Sequence, residues 1–278
     1  MRNFLLRAVV GILYVAILVS CLLLGPVTAS LFFGIVTWAT IMEFCAVVNR
    51  YAGLRTMGLL TATAGFLLVA AGWMFVFDSI MSLQWFALYG LLLLAMLIVG
   101  LYRHSAHPLQ DWMGMLAAQI YVAFPFAMLP MLAATKTSSC GYSWQLPLAI
   151  FIFIWVNDTG AYLVGSALHR WLPWKLFPSV SPGKSWVGSI GGGIATLLAS
   201  AVCWQLMSIG YNLLEWLGFA LVVVVFGTWG DLVESQMKRQ LGIKDSSHIL
   251  PGHGGLLDRF DSSLIAIPAA VIYFNLIY

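Results

Sequence analysis

Apolar residues fill long stretches of the chain at nearly every position, and short polar joints interrupt them at intervals. Nine stretches stand out, at residues 8–24, 27–48, 57–76, 85–101, 112–134, 146–164, 189–209, 215–230 and 262–278. Most approach the roughly 20 residues with which a helix crosses about 30 Å of hydrocarbon. The expected fold is all-α: a polytopic integral membrane protein of about nine transmembrane helices. Without repeats or low-complexity segments, 1–278 reads as a single membrane domain, with N-terminal spans to residue 140 and the polar chemistry in 141–278. Two joins are long, 165–188 and 231–261, and they carry most of the unusual residues.

Composition strengthens this picture. Hydrophobic residues make up 62% of the 278 positions and charged residues 8%, against about a quarter charged in an ordinary soluble domain. A net charge of +3, scattered among apolar runs, lacks the concentrated basic face that nucleic-acid binding requires. Cys21, Cys45 and Cys203 fall in apolar runs and Cys140 in a joint, with no CxxC pair, so neither a disulfide framework nor a zinc site is indicated. Arg2 and Arg7 precede the first apolar stretch and Val27-Thr28-Ala29 follows it, a layout shared with signal peptides. Further spans follow at once, so this stretch is expected to stay as the first span.

Charge also orients the chain. With a cytoplasmic N-terminus, every Lys and Arg except Lys136 falls on the inside, as the positive-inside rule demands. Both long joins then face the cytoplasm, and the C-terminus ends outside. The expected location is the inner (plasma) membrane.

The acidic residues are unevenly placed. Of ten, five crowd between 231 and 261: Asp231, Glu234, Asp245, Asp258 and Asp261. An ionised group at membrane depth costs about 2.5 kcal/mol or more and usually marks a functional interior. A solvated joint accounts for Asp245 but not for Asp231, which directly follows the apolar run 221–230. If the helix continues through Asp231, then Glu234, Ser235 and Lys238 share its face at i+3, i+4 and i+7. Two carboxylates, a hydroxyl and an amine on one face suit a magnesium–phosphate site. A salt-bridged helix end through Glu234 and Lys238 is the plainer reading.

Further along, Pro251-Gly252-His253-Gly254-Gly255 provides a tight backbone whose N–H groups can approach phosphate closely, and Asp258, Arg259 and Asp261 follow immediately. His253 fits a general base or a loop hydrogen-bonder, and its spacing favours the latter; with His248 it forms no zinc pattern. The sixth stretch ends in Asn157-Asp158-Thr159-Gly160-Ala161-Tyr162, where the small residues allow close helix packing and the polar pair is expected to face inward. Interhelical hydrogen bonding alone would also explain that pair. In Ser181-Pro182-Gly183-Lys184-Ser185 the last three residues echo a P-loop, yet Pro178 occupies the position of its first glycine and no strand precedes it. Lys184 can contact phosphate as a point charge or anchor anionic lipid.

Together these residues resemble a known signature. The run through Ser235, Lys238-Arg239, Lys244-Asp245, His253-Gly254-Gly255 and Asp258-Arg259-Phe260-Asp261 is similar to that of phosphatidate cytidylyltransferases, and the likeness extends to Gly230-Asp231, Asn157-Asp158 and Ser181 with Lys184. It covers roughly the C-terminal half. The resemblance implies transfer of the cytidylyl group of CTP to phosphatidate, giving CDP-diacylglycerol and pyrophosphate, with Mg2+ as cofactor and a homodimer as the assembly. It implies a metal centre at Asp231 and Asp258 with basic residues nearby on phosphates; together with the helix-face reading this gives Asp231, Asp258, Lys238 and Arg259 as catalytic residues and Asp231, Asp258 and Glu234 as metal ligands. Substrate binding is expected from Asn157, Asp158, Ser181, Lys184, Ser235, Arg239, Lys244, His253, Gly254, Gly255 and Asp261. One segment departs from the family: Gly183, Ser185 and Val187 stand where lysine, threonine and glutamate are common; Ser185 keeps a hydroxyl, the roles of the positions of Gly183 and Val187 do not carry over, and Lys184 is the transferable lysine. The alternatives are a CTP-dependent lipid kinase and, from a different class, a membrane transporter, against which stand a charge cluster confined to one face and the lack of matched broken helices.

Overall fold

The computed structural model describes residues 2–277 apart from Asp78, 135–140, 169–170, Pro173, Ser208 and 248–253, and the side chains of 2–8 and 79–82 also lie outside the description. Lys136, Cys140, Arg170, His248 and His253 therefore fall outside the described residues. The chain groups into two compact units, residues 1–134 with 241–260, and 135–240 with 261–278.

The first unit is built from α1 (Arg2–Leu23), α2 (Pro26–Tyr51), α3 (Gly58–Phe77), α4 (Ser79–Tyr102), α5 (Pro108–Ala118) and α6 (Phe124–Ala133). A five-residue π turn, Gln119–Ala123, joins α5 to α6. Pro125 follows two residues after it and has no N–H to give to an α-helical ladder, which accounts for a looser turn here. The fifth span is thus continuous but irregular. α3 sits at the centre, against α2, α4 and α6, and at Gly72 a Cβ would strike the backbone carbonyl of Ala127. Polar side chains order the α2–α3 joint: Asn49 accepts from the Thr56 N–H at 2.7 Å and returns a bond to the Thr56 carbonyl. Nearby, Asp111 accepts from the Arg55 N–H at 2.6 Å.

In the second unit α7 (Gln145–Leu168) packs along α8 (Trp186–Leu206), and both pack on α9 (Leu213–Gln240). Gly160 and Gly188 make the α7–α8 contact intimate, since a Cβ on Gly188 would lie 2.8 Å from the Ala161 carbonyl. This is the small-residue packing expected of that stretch. Most of α10 (Leu257–Ile277) belongs to this unit, while its first turn, through Phe260, belongs to the first.

Among the described residues, eight helices are long and apolar enough to span a membrane, and α1 adds a shorter apolar segment, Val9–Leu23. The chain is an all-α polytopic membrane protein. Two features depart from the expected outline. The 165–188 join contains an antiparallel hairpin, β1 (Lys175–Phe177) with β2 (Ser181–Ser185), pairing Lys175 with Ser185 and Phe177 with Ser181. The 231–261 join is helical at both ends, because α9 runs on to Gln240 and α10 begins at Leu257.

Candidate active site

α9 continues past its apolar run, so Asp231, Glu234, Ser235 and Lys238 do share a face. Ser235 Oγ donates to Asp231 Oδ1 at 3.1 Å, and Lys238 Nζ lies 2.5 Å from Glu234 Oε2. Glu234 is fully buried; a carboxylate in that position costs several kcal/mol unless it is paired. The salt-bridged helix end and the acidic face are therefore one arrangement.

The crossing of α9 with α10 brings in another acid. Gly230 has no side chain, and a Cβ there would lie 2.7 Å from the Asp261 carbonyl. That close approach sets Asp261 beside the α9 face. Asp231, Glu234 and Asp261 each offer a carboxylate oxygen, all within 4.8 Å of one another. Three like charges so close repel strongly unless cations or protons intervene. Lysines supply part of the compensation: Lys238 pairs with Glu234, and Lys184, from β2, pairs with Asp231 at 2.6 Å. Carboxylates are hard oxygen donors suited to magnesium, which typically takes one or two of them and leaves its other positions to water and substrate phosphate. The set fits a divalent cation.

Beside this cluster lies a cleft of about 530 Å³, lined by Asn157 and Asp158 of α7, Ser181 and Lys184 of the hairpin, and Asp231. Its volume is within the range that small-molecule sites occupy. Asn157 is buried and reaches Thr228 Oγ1 at 3.5 Å. Asp158, one residue further round the helix, is solvent-exposed and lines the same cleft as Asn157. The hairpin is aimed by local chemistry. Ser185 caps α8 by accepting from the Gly188 N–H at 3.1 Å, a task that its hydroxyl performs as threonine would. Arg239 Nε donates to the Val180 carbonyl at 3.3 Å, tying the end of α9 to the turn of the hairpin.

The remaining predicted residues lie in the first unit. Asp258, in the first turn of α10, accepts from the Gly255 N–H at 2.8 Å and from the Ser246 N–H and Oγ at 3.1 and 2.9 Å. The three-acid cluster does not include it. Gly254 has φ +79 and Gly255 is buried, while Lys244, Asp245 and Arg259 are exposed. Three residues went unselected from sequence. Lys175 lines the cleft, which only the pairing of β1 with β2 reveals. Glu43, on α2, accepts from the Leu256 N–H at 2.9 Å and lies within hydrogen-bond reach of Ser246 Oγ. The signal for Glu43 was its place as an acid inside an apolar span; Ser246 carried none.

The profile of a family described as the cytidylyltransferase family matches residues 5–277. A protein named phosphatidate cytidylyltransferase from Staphylococcus haemolyticus (strain JCSC1435) is 32% identical over 268 residues, 94% of this chain and 95% of the relative. A protein of the same name from Staphylococcus aureus (strain COL) is 44% identical over 121 residues, 44% of this chain and 45% of the relative. One from Staphylococcus saprophyticus is 42% identical over 123 residues. The matched stretch spans under half the length of the S. aureus and S. saprophyticus relatives.

Proposed function

Since the chain belongs to the cytidylyltransferase family, we propose that it transfers the cytidylyl group of CTP to phosphatidate, releasing pyrophosphate and forming CDP-diacylglycerol. The observation that carries this reading is the convergence of Asp231, Glu234 and Asp261 with Lys184 and Lys238 beside a cleft. Phosphoryl-type transfer asks mainly for positioning and charge stabilisation, and that is what these residue types provide.

A phosphate oxygen of phosphatidate bonds to the α-phosphorus of CTP, and the bond from that phosphorus to the pyrophosphate oxygen breaks. The nucleophile is already an anion, so no strong base is needed and His253 has no obligatory part. Asp231, Glu234 and Asp261 would hold Mg2+, which when bound would supply charge neutralisation on the nucleotide phosphates; the resemblance also assigns a metal role to Asp258. Lys184 and Lys238 are already turned toward these acids by their ion pairs. On substrate arrival each can exchange a carboxylate for a phosphate oxygen and stabilise the leaving pyrophosphate. Arg239, Arg259 and Lys244 provide further positive charge for the two anionic substrates. Asn157, Asp158 and Ser181 line the space in which the nucleotide is held, with Ser235 bonded to Asp231 beside it, and the resemblance assigns Gly254 and Gly255 to substrate binding.

The charge asymmetry of the sequence supports a cytoplasmic N-terminus and a site on the cytoplasmic side of a bacterial inner membrane, where CTP is found. The resemblance also implies a homodimer, which the mass of the purified protein in lipid nanodiscs checks. The test of the reaction is the purified protein with phosphatidate, CTP and Mg2+. Equal amounts of pyrophosphate and CDP-lipid are expected, and a folded preparation that forms neither refutes the proposal.

A further inference from the structure

The start of α10 lacks a local cap. Position 255 is glycine and position 256 leucine, so none of the side chains that usually accept from the first helical amides is at hand. Those amides are satisfied from far away in the sequence. Glu43, in the middle of α2, accepts from the Leu256 N–H at 2.9 Å through Oε2 and from the Leu257 N–H at 3.4 Å through Oε1. A carboxylate at a helix N-terminus also meets the positive end of the helix dipole. Glu43 is itself 4% exposed, in a span where an acid is costly.

Ser246 Oγ lies within hydrogen-bond reach of this carboxylate and of Asp258 Oδ2, its single proton serving one of them at a time, while the Ser246 N–H donates to Asp258. Asp258 closes the turn on itself by accepting from the Gly255 N–H, three residues back, in the manner of a capping box. The glycines are required by this arrangement. A Cβ on Gly255 would collide with the Glu43 carboxylate and Ser246 Oγ, and one on Gly254, already left-handed at φ +79, would lie 2.6 Å from Asp258 Oδ2. The acid on α2, the serine and the turn therefore form one closed unit of hydrogen bonds.

We infer that Glu43 is a positioning residue for the reaction: it caps α10 from α2 and thereby fixes the Gly254–Asp258 turn and the orientation of Asp258. It acts through the turn and touches no substrate. The kinetic consequence rests on the cytidylyl-transfer reading, whereas the structural consequence does not.

The experiment compares wild type with Glu43→Gln, which keeps the volume and one acceptor oxygen, and with Glu43→Ala. Amide hydrogen exchange is read in nanodiscs, together with kcat, KM and thermal stability. Loss of one capping acceptor should speed exchange at Leu256 and Leu257 by roughly twofold to thirtyfold, with amides beyond Leu264 unchanged. Because partners one shell removed from a reacting centre typically matter about 10–100-fold, kcat should fall by that much in Glu43→Ala and by less in Glu43→Gln, with the KM for CTP little altered. A merely structural glutamate would lower thermal stability and leave kcat per folded molecule intact. Unchanged exchange at Leu256 and Leu257, or a folded Glu43→Gln with wild-type kcat, overturns the inference. Should Glu43→Ala not accumulate, Glu43→Gln decides by the same criteria. If the wild type itself makes no CDP-lipid, the functional reading fails and the exchange measurement still decides the capping role.

Discussion

Glu234 and Lys238 form the pair on which the acidic face depends. With Glu234 fully buried and the Lys238 side chain 11% exposed, removing the lysine leaves a carboxylate stranded in an apolar setting. Breaking such a pair from one side costs about 3–5 kcal/mol. Lys238→Met should therefore lower thermal stability markedly, and adding Glu234→Gln should restore much of it by removing the orphaned charge. Activity should stay low in both, by about 100-fold or more, if the lysine also stabilises charge on pyrophosphate. Recovery of activity along with stability in the double variant would reduce the pair to a structural role. The neighbouring acids give a sharper contrast: Asp231→Asn and Asp261→Asn should each cut turnover at least about 100-fold at limiting Mg2+, while Asp245→Asn, at an exposed position, stays near wild type. Near-native turnover in either of the first two would remove that residue from the metal set. From the sequence alone, Asp231, Glu234, Ser235 and Lys238 were legible as one face because helical spacing settles which residues are neighbours. That Asp261 would join them was not, since no spacing rule predicts where two helices cross.

Among the elements, that crossing is the one on which the cluster turns. Gly230 allows α10 to approach α9 so closely that a Cβ there would lie 2.7 Å from the Asp261 carbonyl. Gly230→Val should force the helices apart, at about 1–3 kcal/mol of overpacking, and should weaken Mg2+ dependence together with turnover. Unaltered Mg2+ titration in a destabilised Gly230→Val would show that the crossing does not set the acid geometry. The hairpin is the second such element. Arg239→Ala removes the bond to the Val180 carbonyl and should raise the KM for CTP, because Lys184 rides on the strand that follows that turn. The hairpin escaped a reading of the sequence because its strands are only three and five residues long and carry Pro and Gly, which ordinarily mark a loop. The spans, by contrast, were legible throughout, since the cost of an unsatisfied backbone in lipid leaves few alternatives to a helix. Glu43 shows the converse: the rule that an acid within a span marks function applied to it, but its partner turn lies some two hundred residues away, as the separations of 203 to 214 residues in its hydrogen bonds record.

For the whole molecule, the positive-inside rule predicts that both long joins lie on one side of the membrane. Native Cys140 should react with an impermeant thiol reagent from outside, and Asp245→Cys only from the cytoplasmic side; labelling of Asp245→Cys in intact cells would invert the topology. The central claim, however, concerns which bond of CTP is broken. It is tested most directly by supplying phosphatidate, Mg2+ and CTP labelled either at the α- or at the γ-phosphorus, and extracting the lipid. Cytidylyl transfer predicts that the α-label enters the lipid while the γ-label leaves as pyrophosphate. Appearance of the γ-label in lipid, with the α-label left on soluble CDP, would instead mean phosphorylation by CTP and would contradict the account.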